Sequence, residues 1–435
     1  MGEYSKLMTD EINYCRTNNT SISQSHGDDQ NTIEAIEAMA DNYHWRSFSE
    51  GLKEMMEKCG YTGSDEPGAR IDFILERLSE INVNITPATV KDWVSGKRTP
   101  DPANENSREK MYQLCFALHA DEIKTVWFFE HVFFSKCFDY HRPNELVYKF
   151  CISHGMDYSA ALSMINRIKT ESAADPVNVM TMLIRKDTDD FNTSEQLIDY
   201  INSNAGRFAR WNVTAKNEIK QLRSMLMDEK CRASDELVRK LMRSGKSVRE
   251  YLPRCSLLIR WKLSDPYCLE DVFSGLQLDS VDFLLKAVMG TADGITKRSE
   301  YADVIPDAVK KSFPNKKSLS DILDDSKNAS YVSVRKALVF LKFVHFWCNE
   351  ELVRRDSKFV SDPCAAYSST ASANMSQKDL FDTFIDEMNE MLLRCGYAEL
   401  FAGNPFDWLF MYSATRDFPL SFLGDFIADI SETGE

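Results

Sequence analysis

The sequence predicts an all-α fold for this 435-residue chain, an N-terminal helix-turn-helix unit followed by a larger multi-helix region. Three observations lead there. Apolar residues recur three and four positions apart, which aligns them on one face of an α-helix. Helix-start signatures, a Ser or Thr followed three residues later by an acid or amide, precede several of these runs. Alternating apolar and polar runs, the mark of half-buried strands, are hard to find.

Taken in order, Met1 to Asn31 are rich in Asn, Ser, Thr and Asp, which predicts a disordered polar arm over residues 1–31. A helical domain is expected over residues 32–170. Leu52, Met55, Met56 and Cys59 form one stripe; Ile71, Ile74, Leu75 and Leu78 form another, beyond Gly60 and the loop Thr62 to Gly68. The next helix is expected from Ser107, read as its N-cap, to Leu118. Trp127, Phe128, Val132 and Phe133 continue the helical pattern. Glu171 to Pro176 reads as a linker into a second helical domain, residues 171–361. There Thr193 and Gln196 have capping-box spacing ahead of Leu197 and Ile198. Gly290 to Asn328 mixes Gly, Pro and Lys and gives no order of elements. Tyr331 to Trp347 is the most apolar run, but Arg335, Lys336, Lys342 and His345 interrupt it. That predicts a buried core helix and no membrane span.

The last segment, residues 362–435, opens with the Ser/Ala-rich tether Asp362 to Met375. Ser376 and Asp379 then have capping-box spacing before Leu380, Phe384, Met388 and Met391. Gly403-Asn404-Pro405-Phe406-Asp407-Trp408-Leu409 joins a turn to an aromatic helix start, with Phe406 and Trp408 expected in the core or on a docking surface.

Hydrophobic residues make up 43% and charged residues 27%, the balance of an ordinary globular protein. The formal charge of −15 argues against a surface coated throughout by a polyanion. A local basic face still counts, because charges beyond a Debye length are screened. The eleven cysteines are scattered without a Cys-x-x-Cys pair, as expected for free thiols in a reducing compartment. With no apolar leader in the polar N-terminus, a cytoplasmic location is expected.

The stretch Thr86 to Pro100 points to a function. Thr86 can accept from first-turn amides, and Pro87 suits the first helical position, where its missing N–H has no partner. Val90 and Trp93, three apart, face the core; Ala88, Thr89, Lys91 and Asp92 lie on or near the other face. Gly96 suits the left-handed position that ends a helix, Lys97 and Arg98 follow at the turn, and Pro100 stops the helix resuming. This pattern resembles the recognition helix and turn of the phage-repressor-like (Xre-type) helix-turn-helix family, over roughly 70 residues from Phe48 to Leu118.

The resemblance implies double-stranded DNA as partner. Thr86, Pro87, Ala88, Thr89 and Lys91 would face the groove, and Lys97 and Arg98 would meet the backbone. Three features depart from the family pattern: Phe73 and Ile74 stand where a small residue is usual, the connection Gly60 to Gly68 is longer, and Val94 replaces an acid. Residues 41–149 carry 14 basic and 18 acidic residues, a net −4.

Residues 206–262 are the most basic part of the chain, with 15 Lys and Arg against 6 Asp and Glu, a net +9. Arg207, Arg210, Lys216, Lys220 and Arg223, continued by Arg239, Lys240 and Arg243, could form a cationic stripe on phosphates. Equally, they could pair with the surplus carboxylates within the fold or across an oligomer interface.

Other chemistry is faint. His131, Cys137, His141, Cys151 and His154 have some ligand-like spacings, but the Cys-x-x-Cys half of a structural zinc site is missing, so no metal is expected. His345 and Cys348 read as packing. With no His-Glu-x-x-His, phosphate-cradling glycine loop or Gly-x-Ser-x-Gly elbow, neither an enzyme nor a cofactor is expected. Two readings stay open. One is a helix-turn-helix regulator with a helical sensing or oligomerisation region. The other is a helical interaction scaffold, such as a phage-defence component, with a structural helix-turn-helix.

Overall fold

The structure, a computed structural model, describes residues 12, 28–40, 45–169, 181–208, 213–227, 257, 261, 309, 316–324, 329–358 and 376–431. Among the described residues the regular structure is helical and no strand occurs, so the all-α expectation holds.

The helices sort onto two hydrophobic cores. The first is built by α2 (Phe48–Lys58), α3 (Pro67–Glu80), α4 (Pro87–Val94), α5 (Glu105–Ala117), α6 (Glu122–His131), α7 (Pro143–Ser153) and α8 (Tyr158–Asn166). α9 (Thr181–Thr188) and α10 (Ser194–Ser203) add Ile184, Leu197, Ile198 and Ile201 to it. The second core gathers α11 (Val213–Met227), α12 (Lys316–Leu323), α13 (Tyr331–Lys358), α14 (Gln377–Arg394), α15 (Pro405–Ala414) and α16 (Pro419–Ser431). α1 (Asp28–Ala40) joins this second core through Ala35, Ile36 and Met39 and packs on α16. Ile12, inside the expected polar arm, is buried there too. The cores thus part near residue 210, and the N-terminal helix packs with the C-terminal half. The linkers expected at Glu171 to Pro176 and Asp362 to Met375 lie outside the described residues.

Local chemistry explains where the helices start. Ser47 and Glu50 close a full capping box on α2; Thr193 with Gln196 and Ser376 with Asp379 do so on α10 and α14. α5 begins earlier than expected. Asn104, not Ser107, is its N-cap, and its Oδ1 accepts from the Asn106 amide at 2.9 Å and the Ser107 amide at 3.2 Å. An amide side chain reaches two orphan donors there, which turns Ser107 into a helical residue. α6 stops at His131, short of the expected Val132 and Phe133. Phe134 adopts a φ of +52°, which redirects the chain while Phe133 still turns into the core.

α13 is the buried rod of the second core, with Ala337, Leu338, Val339, Phe340, Phe343 and Trp347 all closed to solvent. No helix among the described residues is long and apolar enough to cross a membrane. Phe406 and Trp408 are likewise buried, so the C-terminal aromatic motif starts a core helix. Asn404 caps it by accepting from the Phe406 amide at 3.0 Å.

Candidate nucleic-acid interface

α4 is a short helix divided lengthwise. Thr86 caps it, its Oγ1 lying 3.3 Å from the accepted Thr89 amide, and Pro87 takes the first position. Val90, Trp93 and Val94 are buried at 0%, 4% and 3% exposure. Trp93 meets Phe48 of α2 edge to face at 6.2 Å, and the Ser49 hydroxyl donates to the Val94 carbonyl at 2.5 Å. α2 and α3 therefore hold α4 from behind.

The outer face carries Thr86, Pro87, Ala88 and Lys91, all exposed, with Thr89 half-buried beside them. Gly96 has a φ of +70°, the left-handed stop expected from the sequence. Beyond it Lys97 and Arg98 are exposed; Arg98 lies 4.0 Å from Asp92 and keeps 81% of its side chain in solvent. The neighbouring outward face of α3 is acidic, presenting Asp72, Glu76 and Glu80.

The basic stretch behaves differently. Within α11 the buried residues Ala215, Ile219, Leu222 and Leu226 mark the core face, and Lys216, three before Ile219, falls on that side. It is 7% exposed, with its Nζ 3.3 Å from the Asp324 carbonyl. Arg207 is held by the Asp187 carboxylate at 2.8 Å and the Tyr200 hydroxyl at 2.9 Å. Lys216, expected on a cationic stripe, is therefore turned into the fold, while Arg207 keeps about a third of its side chain in solvent. Helical spacing places two cations on one face but leaves open whether that face meets core or solvent. Lys220 is exposed and Arg223 half-buried, while Arg210, Arg239, Lys240 and Arg243 lie outside the described residues.

The His and Cys set is dispersed. His131 stacks on Phe401 at 4.4 Å, His141 Nδ1 lies 3.1 Å from the Arg207 carbonyl, and His154 Nδ1 lies 2.8 Å from the Phe150 carbonyl. Cys137 and Cys151 are buried free thiols, and no three ligand-type side chains converge among the described residues. Cys348 is buried one turn from His345, where its thiol faces the Leu257 carbonyl at 3.6 Å.

Sequence reasoning missed a buried polar network where the two cores meet. Arg108 of α5, 3% exposed, forks onto Glu145 of α7 through Nε–Oε1 at 2.7 Å and Nη2–Oε2 at 2.6 Å. It also donates to the Ser135 hydroxyl at 3.0 Å and to the Lys136 and Cys137 carbonyls. Asp139, fully buried, accepts the Tyr331 hydroxyl of α13 at 2.6 Å and the His141 amide at 3.0 Å, with Lys136 Nζ at 3.5 Å. Burial by itself would raise this carboxyl. The charges of Lys136 and His141, with the Tyr331 hydroxyl, outweigh that and hold it at about 2. Arg108 and Arg142 flank the Tyr331 ring at 4.6 and 4.8 Å. The available clue was charge set among aromatics: Ser135-Lys136-Cys137-Phe138-Asp139-Tyr140-His141-Arg142 alternates groups that cannot all reach water.

Comparison with protein-family models, with curated proteins and with solved structures returns no match for the chain. The functional reading therefore rests on the geometry.

Proposed function

We propose that the protein binds double-stranded DNA through α4 and acts as a cytoplasmic transcriptional regulator, its second core serving sensing or oligomerisation. The observation that supports this is the lengthwise division of α4. A helix held by Val90, Trp93 and Val94 turns short and cationic side chains outward and ends at a left-handed glycine followed by two exposed cations, Lys97 and Arg98. In the major groove, Lys91 could donate to guanine O6 and N7, and Pro87 and Ala88 could meet a thymine methyl. Lys97 and Arg98 would take phosphates. The outward face of α3 restricts the approach, because the exposed Asp72 and Glu76 repel a duplex lying along that helix, while Glu80 is paired with Arg77. A dimer would place two such helices about one helical turn of DNA apart. The reading assigns no catalytic role and no cofactor.

Fluorescence anisotropy on fragments of the protein's own upstream DNA, across a salt series, tests it. One fragment should bind tightly, and the Lys91→Ala, Lys97→Ala, Arg98→Ala triple variant should lose about 1.8 units of the log–log salt slope, near 0.9 for each of the two phosphate contacts made by Lys97 and Arg98. Equal affinity of variant and parent would sink the assignment.

One observation favours the second reading, a helical interaction scaffold. Of the described cations in the basic stretch, Lys216 is buried against the Asp324 carbonyl and Arg207 is held in an ion pair with Asp187, partners within the fold. Under that reading a specific protein co-purifies through high salt and nuclease treatment, and α4 variants leave its capture unchanged.

A further inference from the structure

A cleft of about 650 Å³ opens beside the first turns of α5 and α7, its lining including Glu105, Arg108, Glu109, Arg142, Tyr148 and Ile168. That volume suits a small organic ligand. Its charges are unevenly matched. Arg142 is gripped through both terminal nitrogens by Glu105, and Arg108 is forked onto Glu145. Both guanidinium groups therefore already hold carboxylates.

Glu109 does not hold a cation. Its Oε1 accepts the Tyr148 hydroxyl at 2.8 Å and the Tyr158 hydroxyl at 3.0 Å. Among the described residues no lysine, arginine or histidine lies within ion-pairing distance of it. The carboxylate is nonetheless fixed in place. Gln113 donates to the Tyr158 oxygen at 3.1 Å, which turns that hydroxyl's own proton toward Glu109. Burial, then the Glu109 charge, push the Tyr148 hydroxyl well above its usual range, so it remains a donor. Ile165, Ile168 and the buried Tyr112 ring supply apolar lining.

We propose that this cleft binds a small organic cation, an ammonium or guanidinium group on an apolar body, with the Glu109 carboxylate as its counter-ion. The carboxylate is already oriented, so little ordering is lost on binding. An anionic ligand would meet Glu105, Glu109 and Glu145 with both arginines occupied. The site stands apart from the DNA reading, sharing none of its residues.

Titration calorimetry of the full chain at fixed ionic strength tests it with tyramine, agmatine and spermidine as probes. 4-Ethylphenol, which is tyramine without its amine, is the neutral control. At least one amine should bind saturably at one site, the control should not, and Glu109→Gln should weaken the amine about tenfold or more. Glutamine still accepts from both tyrosines, and a thermal melt checks that the variant folds. Ile168→Trp provides a second arm, since it fills the apolar side without touching the charge and should also weaken binding. The proposal is overturned by silence from all three amines, by equal binding of 4-ethylphenol, or by amine affinity that survives Glu109→Gln. Should that variant not fold, unchanged affinity in Ile168→Trp overturns it instead.

Discussion

Arg108 shows how a buried charge is made tolerable: two carboxylate oxygens, the Ser135 and Tyr112 hydroxyls and two backbone carbonyls surround one guanidinium. Removing one partner exposes the other to its full desolvation cost. Glu145→Gln should therefore lower stability by about 3–5 kcal/mol in urea unfolding; a loss under about 1 kcal/mol would mean that the carbonyls alone suffice. Asp139 and Glu130 respond to pH in opposite senses. Asp139 sits at about 2 in the fold against its usual 3.8, so its stabilisation is present above pH 4 and lost as pH falls through 2. That amounts to about 2 kcal/mol, which Asp139→Asn should remove from the acid limb of a pH–stability curve. Glu130 is pushed up to about 7 from 4.5, chiefly by burial and with Glu399 adding to it. The fold prefers it protonated, so stability falls between pH 4.5 and 7. Glu130→Gln should gain about 2 kcal/mol at pH 8 and nothing at pH 4, allowing for its partial solvent access. A gain that does not vary with pH would contradict this.

Between elements, contact geometry sets what each position tolerates. α2 passes so close to the C-terminal end of α6 that a Cβ at Gly51 would lie 2.4 Å from Cγ1 and 2.7 Å from Cγ2 of Val132, the residue that caps α6. Gly51→Ala should cost about 1–3 kcal/mol from overpacking. Val132→Ala in the same chain should recover part of it, giving a favourable coupling in a double-mutant cycle. If the two effects simply add, the close approach is not the cause. Thr86→Ala, which removes the α4 cap, should cost about 1 kcal/mol in the same unfolding assay. The α4 pattern was legible from residues 86–100 because caps, apolar spacing and a glycine stop act within a turn or two of sequence. Ser107 misled because Asn104, three residues earlier, offers a side chain as good. Lys216 misled because a helix face gives no sign of what it packs against.

At the scale of the molecule, the two cores join through Tyr331, whose hydroxyl on Asp139 and whose ring between Arg108 and Arg142 tie α13 to α5 and α7. Tyr331→Phe leaves the ring and removes one hydrogen bond to a buried carboxylate. It should cost about 1–3 kcal/mol. It should also loosen the coupling between cores, so that tryptophan fluorescence and circular dichroism report separate transitions. Coincident transitions at the parent midpoint would show that the apolar contacts alone unite them.

Helix class, the helix starts at Thr86, Thr193 and Ser376, the buried rod α13 and the division of α4 follow from chemistry that acts over a few residues, and all could be read from the chain. The division of the cores, the return of α1 onto α16, the inward turn of Lys216, and the joining of Arg108, Asp139, Glu145 and Tyr331 could not. Asp139 and Tyr331 are 192 positions apart. No local pattern encodes which distant side chain will complete a buried charge. That is decided by which apolar faces pack together, since packing determines where water is excluded and where a polar partner becomes obligatory.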